Sequence, residues 1–586
     1  MNPRRSDSAA ESGGPGSALP AGRLSTWIWV AGAMTLLKLW LTSGQTLYAI
    51  GGADHDDRLA LNLAAALLRG EWLGSYNHLT LAKGPFYSLW IAGVFLLGIP
   101  LMQAQQLLGA GACVLAVRAL APVVKSGWGK LGIYSLLLWN PMSFDAGGLG
   151  RVLRQDIYPH LTLMLFAAMI ALYVRRAAPW RRLAPWAATL GLTWAAFWLN
   201  REESIWIVPS LILLGAAYVI GAGRHSRPAL VNTSRVAVIA ALGALAPILT
   251  VCALNARHYG WFGTVEFRAA AFKDAYGALL RVRPEEEIPF VPVTRATRER
   301  IYAVSPAFAE LKPYLEGDIG RDWATISSPL THCRPEEQEI GGGWFMWALR
   351  QAVEAAGHGH DARAALRFYA QIAREVNQAC DRGTLPAGPH RSGFVPPWQE
   401  GQIAALPRTL LEFAWYLISF DDFNAGVPGS MGSAAELDYF RDLTRMRLSR
   451  PTEALGYEYA LPNQQQLDTW KVETLRAAGE ILRKVFCALI LIAHPVVIIR
   501  AVQLALRREL TYPVVLAVAA WIGCAACLLV CALVQVTSFP TRSQVYFAPA
   551  YPLLLLFVAA VMLDAVRAGC RGPGREIARA AVVPTG

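Results

Sequence analysis

The chain has 586 residues, of which 54% are hydrophobic and 16% charged, with a mean hydropathy of +0.33. That balance, with the apolar residues gathered in long runs, excludes an ordinary soluble globule. The net charge of +12 does not call for a nucleic-acid partner, because most of the excess basic residues sit in short loops beside apolar runs, the pattern that orients membrane helices.

In chain order, residues 1–23 are rich in Ser, Gly, Pro and Ala, carry Arg4 and Arg5, and read as a disordered cytoplasmic tail. The run Leu24–Ser43 is too long for the apolar core of a signal peptide and lacks a clear cleavage site, so it reads as a retained anchor. Further spanning candidates are Leu101–Val123, Leu131–Phe144, Ile157–Val174, Pro185–Leu199, Ile205–Ile220, Val236–Leu254, Ile481–Ile499, Tyr512–Val536 and Val545–Val566. The stretch Pro85–Ile99 is short and begins with Gly-Pro, which suits a re-entrant or juxtamembrane helix. With that assignment every dense basic cluster falls on one side: Arg118, Lys125 and Lys130; Arg175, Arg176, Arg181 and Arg182; Arg224, Arg227 and Arg235; Arg500, Arg507 and Arg508; Arg567, Arg571 and Arg575. The expected fold is therefore an all-α polytopic membrane protein with about ten transmembrane helices, both termini inside, a juxtamembrane helix in the first outer loop and a large, mainly helical extracytoplasmic segment. Its expected organisation is a cytoplasmic tail (1–23), an N-terminal transmembrane module (24–254) whose first outer loop spans 44–100, an extracytoplasmic domain (255–475), C-terminal transmembrane helices (476–568) and a cytoplasmic tail (569–586).

The outer segments hold the concentrated acidic residues. The first contains Asp54-His-Asp-Asp57 at the end of a spanning helix, and three carboxylates there are costly unless they bind something or stay hydrated. A solvated turn in which Asp57 caps the following helix is the plain alternative. The second outer loop carries Arg151-Val-Leu-Arg-Gln-Asp156, where a guanidinium of Arg151 or Arg154 suits phosphate oxygens and Asp156 a metal or an acceptor, or else caps a helix. Arg201 in Asn200-Arg-Glu-Glu203 and Arg542 in Thr541-Arg-Ser-Gln-Val-Tyr546 also fall at the outer interface, where arginine is disfavoured unless it serves an anionic ligand. Within 255–475, residues 341–350 open an amphipathic helix with 362–380 as its helical partner. The intervening Gly357-His-Gly-His-Asp361 reads as a hydrated turn in preference to a metal site, and Trp261, Trp323, Trp344, Trp347 and Trp398 as packing residues in preference to sugar platforms. Cys333 and Cys380 are the two cysteines of this segment, and an oxidising compartment would pair them.

Taken together, the Asp-Asp pair after the first helix, Lys83-Gly-Pro-Phe-Tyr87, Asn140-Pro141 followed by Arg151 to Asp156, Asn200-Arg-Glu202, and the late Arg542 and Tyr546 resemble the GT-C superfamily of polyprenyl-phosphate-dependent glycosyltransferases, which includes protein O-mannosyltransferases and lipid A aminoarabinose transferases. The resemblance covers roughly the first 255 residues and the last 100. The chain departs from the pattern in having three aspartates where the family has an Asp-Glu-like pair, and Lys83-Gly84-Pro85 in place of a double proline. What the resemblance implies is sugar transfer from a polyprenyl-phosphate donor to a glycan, lipid or protein acceptor on the extracytoplasmic side of the plasma (inner) membrane. It implies Asp56 as general base, with Asp57 and then Asp54 as substitutes. Arg201 and Arg542, with Lys83 and Arg154, would hold the donor phosphate; Asp156 and Glu202 would form a second acidic site, and Tyr546 and Tyr87 are further site residues. A divalent metal ion is the one cofactor it raises, with no ligand set assigned. In the same reading the 255–475 segment caps the site and selects the acceptor.

Two other classes compete. A secondary transporter or flippase would place such charges near the bilayer midplane on broken helices, often with internal repeats, whereas here they lie at helix ends. A non-catalytic assembly protein would account for the large outer segment but not for the arginine and aspartate pattern.

Overall fold

The computed structural model describes residues 26–147, 150–223, 227–449, 463–507 and 511–570. The two expected terminal tails fall outside these, apart from residues 569–570, as do Arg224, Arg508, Arg571 and Arg575. Helix α1 (Thr26–Thr42) runs through an irregular stretch to α2 (Asp57–Leu68), α3 (Phe86–Leu96), α4 (Leu101–Leu120) and α5 (Gly127–Leu138). There follow α6 (Tyr158–Val174), α7 (Trp180–Asn200), α8 (Val208–Gly223) and α9 (Arg227–Tyr259). The next segment contains α10 (Ala270–Arg281), α11 (Arg295–Tyr302), α12 (Pro306–Ala309), α13 (Lys312–Leu315), α14 (Asp318–Thr331), α15 (Phe345–Val353), α16 (Ala362–Asp381), α17 (Gln402–Ser419) and α18 (Ala434–Thr444). The chain closes with α19 (Gln464–Leu506), α20 (Tyr512–Thr537), α21 (Gln544–Phe547) and α22 (Tyr551–Cys570). Extended pairing among the described residues is limited to isolated bridges such as Leu47 with Leu448 and Val282 with Ala387.

Among the described residues, six stretches are long and apolar enough to cross a membrane: Arg154–Val174, Ser204–Gly221, Val231–Tyr259, Gln464–Leu506, Tyr512–Thr537 and Gln544–Ala568. The chain is a multi-pass, mostly helical membrane protein. The remaining expected spans fall on α1, α4, α5 and α7. α5 has only 12 residues, short of the roughly 20 that an untilted crossing needs. The expected break before Leu101 is present: α3 and α4 meet at 107°, because Gly98 takes a left-handed φ of 72° and Pro100 is extended. Close helix contact depends on small residues. α7 and α9 form the most extensive helix pair, and a Cβ at Gly191 would run into the Ala240 carbonyl.

The large segment divides between two cores. Residues from Val265 to Leu385 bury their own cluster, including Phe272, Tyr276, Ile301, Phe345 and Tyr369. α17 and α18 instead join the core of the helix bundle through Phe413, Tyr416, Leu437 and Phe440, with α17 lying against α20 and α19. The expected partnering of the helices around 345–353 and 362–380 is corrected in one respect: α16 packs most extensively on α10, whose Phe272 meets Tyr369 edge to face at 4.8 Å. The expected disulfide is not formed. Cys333 and Cys380 are both free, the latter buried in the core of 265–385 on α16 and the former half-buried just past the end of α14, hydrogen-bonded to Thr331.

Candidate active site

A cavity of about 680 Å³ opens where α2, α3, α7, α20 and α21 meet the 265–385 core and the 394–399 strap. Its charged wall comes from four loops, around Asp56, Lys83, Arg151–Arg154 and Arg201–Glu203. Asp56 is the N-cap residue of α2, yet its side chain makes no capping bond; it is engaged by Lys83, and the His55 Nε2 lies 3.8 Å away. Burial pushes the Asp56 carboxyl up, but Lys83, His55 and Arg151 outweigh that and hold it well below the usual carboxylate range. Asp57 does not cap the helix. It is wholly buried, takes both carboxylate oxygens to the Arg151 Nε at 3.2 Å, and accepts the Val152 N–H at 3.2 Å. Asp54 points to Arg58 at 3.3 Å with more than half of its side chain exposed. Of the three aspartates, only Asp56 lines the cavity.

Lys83 reaches its place through a tightly built loop. Asn77 accepts the backbone N–H groups of Leu79 and Thr80 at 2.9 and 3.0 Å, and Leu81 adopts a φ of 57°. Gly84 then passes so close to the end of α7 that any Cβ would collide with the Leu199 carbonyl. This contact sets the lysine beside the Asn200-Arg201-Glu202 turn, with its ammonium 5.5 Å from the Trp347 ring centroid.

Arg154 donates to the Asn200 carbonyl at 3.1 Å and pairs with Glu202; Asn200 returns a bond to the Arg154 carbonyl at 2.9 Å. Arg201 pairs with Glu203, donates to the Val545 carbonyl at 3.2 Å, and lies over the rings of Tyr158 and Tyr546. Its Nε is buried with no acceptor among the described residues. Burial raises the Glu203 carboxyl, but Arg201 and Arg154 outweigh that and hold it below the usual carboxylate range. Lys83, Arg154, Arg201, Glu202, Tyr87 and Tyr546 all line the cavity, as does Arg151.

Besides Asp54 and Asp57, two more expected residues lie elsewhere. Arg542 points away from the cavity, more than half exposed, to Asp421 at 3.1 Å and the Tyr416 ring at 5.3 Å. Thr541 and Ser543 line the cavity while Arg542, between them in a tight turn closed by the Ser543 N–H on the Thr541 carbonyl at 2.8 Å, faces out. Asp156 sits behind the wall, accepting bonds from Tyr87 at 3.0 Å, Gln105 at 3.3 Å and the Leu153 N–H at 3.2 Å, and it lines a separate cavity of about 50 Å³. It is therefore separated from Glu202 and does not form a second acidic site with it.

Sequence reasoning passed over Arg268, which caps the end of α7 by donating to the carbonyls of Arg201 at 2.8 Å and Glu202 at 2.7 Å while stacking on Trp198 at 3.9 Å. It also passed over His55 as a site residue and Phe290 and Phe394 in the aromatic roof, whose Trp344 and Trp347 it read as packing residues in preference to sugar platforms. Trp347 is both packed and part of the cavity wall. As to a metal, no group of three or more His, Cys, Asp or Glu side chains converges among the described residues, and Asp56, Glu202 and Glu203 are each engaged by a cation. His358 pairs with Glu310 and stacks on Phe368, and Asp361 caps α16, so that turn is structural.

These features define a multi-pass membrane protein with one strongly charged chamber under a helical roof. Among solved structures the chain is similar to ArnT from Cupriavidus metallidurans in the apo state, at 11% identity and a TM-score of 0.30 over 92% of this chain and 76% of that one. It is also similar to the same protein bound to undecaprenyl phosphate, at 12% identity and a TM-score of 0.29 over 95% and 81%. Likeness at that level assigns no activity. No family model and no curated protein matches the chain.

Proposed function

We propose that the chain is a membrane glycosyltransferase that moves a sugar from a polyprenyl-phosphate donor to a glycan, lipid or protein acceptor at the extracytoplasmic face of the plasma (inner) membrane. The observation that carries the reading is Arg201: a cation lining the chamber beside Lys83, Arg151 and Arg154, with a buried guanidinium N–H that no acceptor among the described residues meets. Buried donors without partners are rare, and an anionic ligand supplies the missing acceptor. Each chamber cation is balanced by a carboxylate: Lys83 by Asp56, Arg151 by Asp57, Arg154 by Glu202 and Arg201 by Glu203. An arriving phosphate must therefore displace carboxylates. When it draws Lys83 away, Asp56 loses the partner that depresses its proton affinity and becomes a competent base. The acceptor hydroxyl gives its proton to Asp56, its oxygen attacks the anomeric carbon, and the bond to the phosphate oxygen breaks with Lys83 and Arg201 stabilising the charge left on the lipid phosphate.

Arg201→Ala removes a contact made before and during the reaction. Polyprenyl-phosphate binding, followed by native mass spectrometry in nanodiscs, should weaken by about tenfold or more, with turnover falling alongside. Parental binding would contradict the assignment. The reading also takes the topology as ten crossings with both termini inside, the 255–475 segment outside and selecting the acceptor. An impermeant thiol reagent applied to intact cells should then modify a cysteine introduced at Gly317 and spare one at Arg181; modification of both would contradict that topology.

A further inference from the structure

The proton that leaves the acceptor needs somewhere to go, and Asp56 is a poor resting place while cations surround it. His55 stands next to it. Its Nε2 is 3.8 Å from the Asp56 Oδ2, its side chain is 22% exposed, and it lines the chamber. The imidazole is fixed between Trp323, at 5.3 Å edge to face, and Trp347, at 5.6 Å. A movement of about 1 Å brings the two groups into hydrogen-bonding range.

We infer that His55 is the proton-relay partner of Asp56, receiving the acceptor's proton from the carboxylate and passing it to water between turnovers. The inference rests on the glycosyltransferase reading. The steps balance: the acceptor O–H breaks and its proton goes to Asp56 Oδ2, the new C–O bond forms as the sugar–phosphate bond breaks, and the proton then crosses to His55 Nε2, leaving Asp56 ionised. The groups facing His55 are Asp54 and Asp56 on its own loop, Lys83 from the loop before α3, and Arg151 from the second outer loop; Trp323 and Trp347 contribute no charge. Burial first, then Lys83 and Arg151, keep the imidazole below its usual value against the pull of both aspartates, so it is neutral and ready at neutral pH.

The sign follows. A relay that must start neutral fails as pH drops through the His55 pKa, so kcat/KM of the parental enzyme should show an acidic limb below about pH 6.5. In His55→Gln that limb should vanish and turnover should fall about tenfold or more, with polyprenyl-phosphate binding unchanged. Added imidazole should restore turnover to His55→Ala, which a packing role would not allow. His55→Gln at the parental rate with the acidic limb intact would overturn the relay alone, and so would a slow variant whose limb persists and which imidazole does not rescue. A parental enzyme that cleaves no polyprenyl-phosphate sugar would overturn the glycosyltransferase reading beneath it.

Discussion

Asp56→Asn should lower sugar transfer by about a hundredfold or more while leaving donor binding nearly intact, because it keeps the size of the side chain and removes its basicity. The structure makes this change more discriminating than its neighbours. Asp57 is sealed against Arg151 and Asp54 faces Arg58, so neither lines the chamber. Asp57→Asn should act through stability instead, since it leaves the Arg151 guanidinium without its buried counter-ion. Measured as product formation at saturating donor, an Asp56→Asn enzyme at the parental rate would contradict the assigned base.

The largest loss of stability is expected at Arg350. Its side chain is 1% exposed and its partner Glu266 is fully buried, a pair joined inside the 265–385 core. Arg350 also donates to the carbonyls of His78 at 2.6 Å and Thr80 at 2.8 Å, and Tyr76 donates to Glu266 at 2.7 Å. One ion pair therefore pins the loop that presents Lys83. Arg350→Met strands a buried carboxylate and should cost about 3–5 kcal/mol. Thermal unfolding in detergent should move down by roughly 6–20 °C, and the 76–83 loop should become open to limited proteolysis. Arg350→Met with Glu266→Gln removes both charges and should recover part of the loss. An unchanged melt for the single variant would contradict the role given to the pair.

Much of this was legible in the sequence. Apolar runs near bilayer length mark helices by composition alone, and each expected run overlaps one, while the Gly-Pro and Gly-Ile-Pro flanks of residues 86–96 announce a helix that does not continue straight. Arginines at helix ends are anomalous against charge statistics, which is why Arg154 and Arg201 stood out. What escaped depends on direction and distance. Whether Asp54, Asp56 or Asp57 faces the chamber turns on where α2 begins, a matter of one residue. Arg542 faces out from a tight three-residue turn, and nothing in its residue type records that. Arg268 caps a helix that ended 68 residues earlier, and Glu266 meets Arg350 across 84, so neither pairing leaves a local trace. The two cysteines of the large segment share a compartment but not a neighbourhood, and their count alone suggested a bond that the packing does not make.

The most direct measurement of the central claim gives the purified protein, reconstituted in lipid vesicles, a polyprenyl-phosphate-linked sugar with the label on the sugar, and follows both the sugar–phosphate bond and the position of the lipid. The account predicts cleavage of that bond, with free polyprenyl phosphate accumulating in step with a glycosylated acceptor, and no cleavage by Asp56→Asn. Movement of the intact donor across the bilayer with the bond unbroken would contradict it and make the chain a transporter.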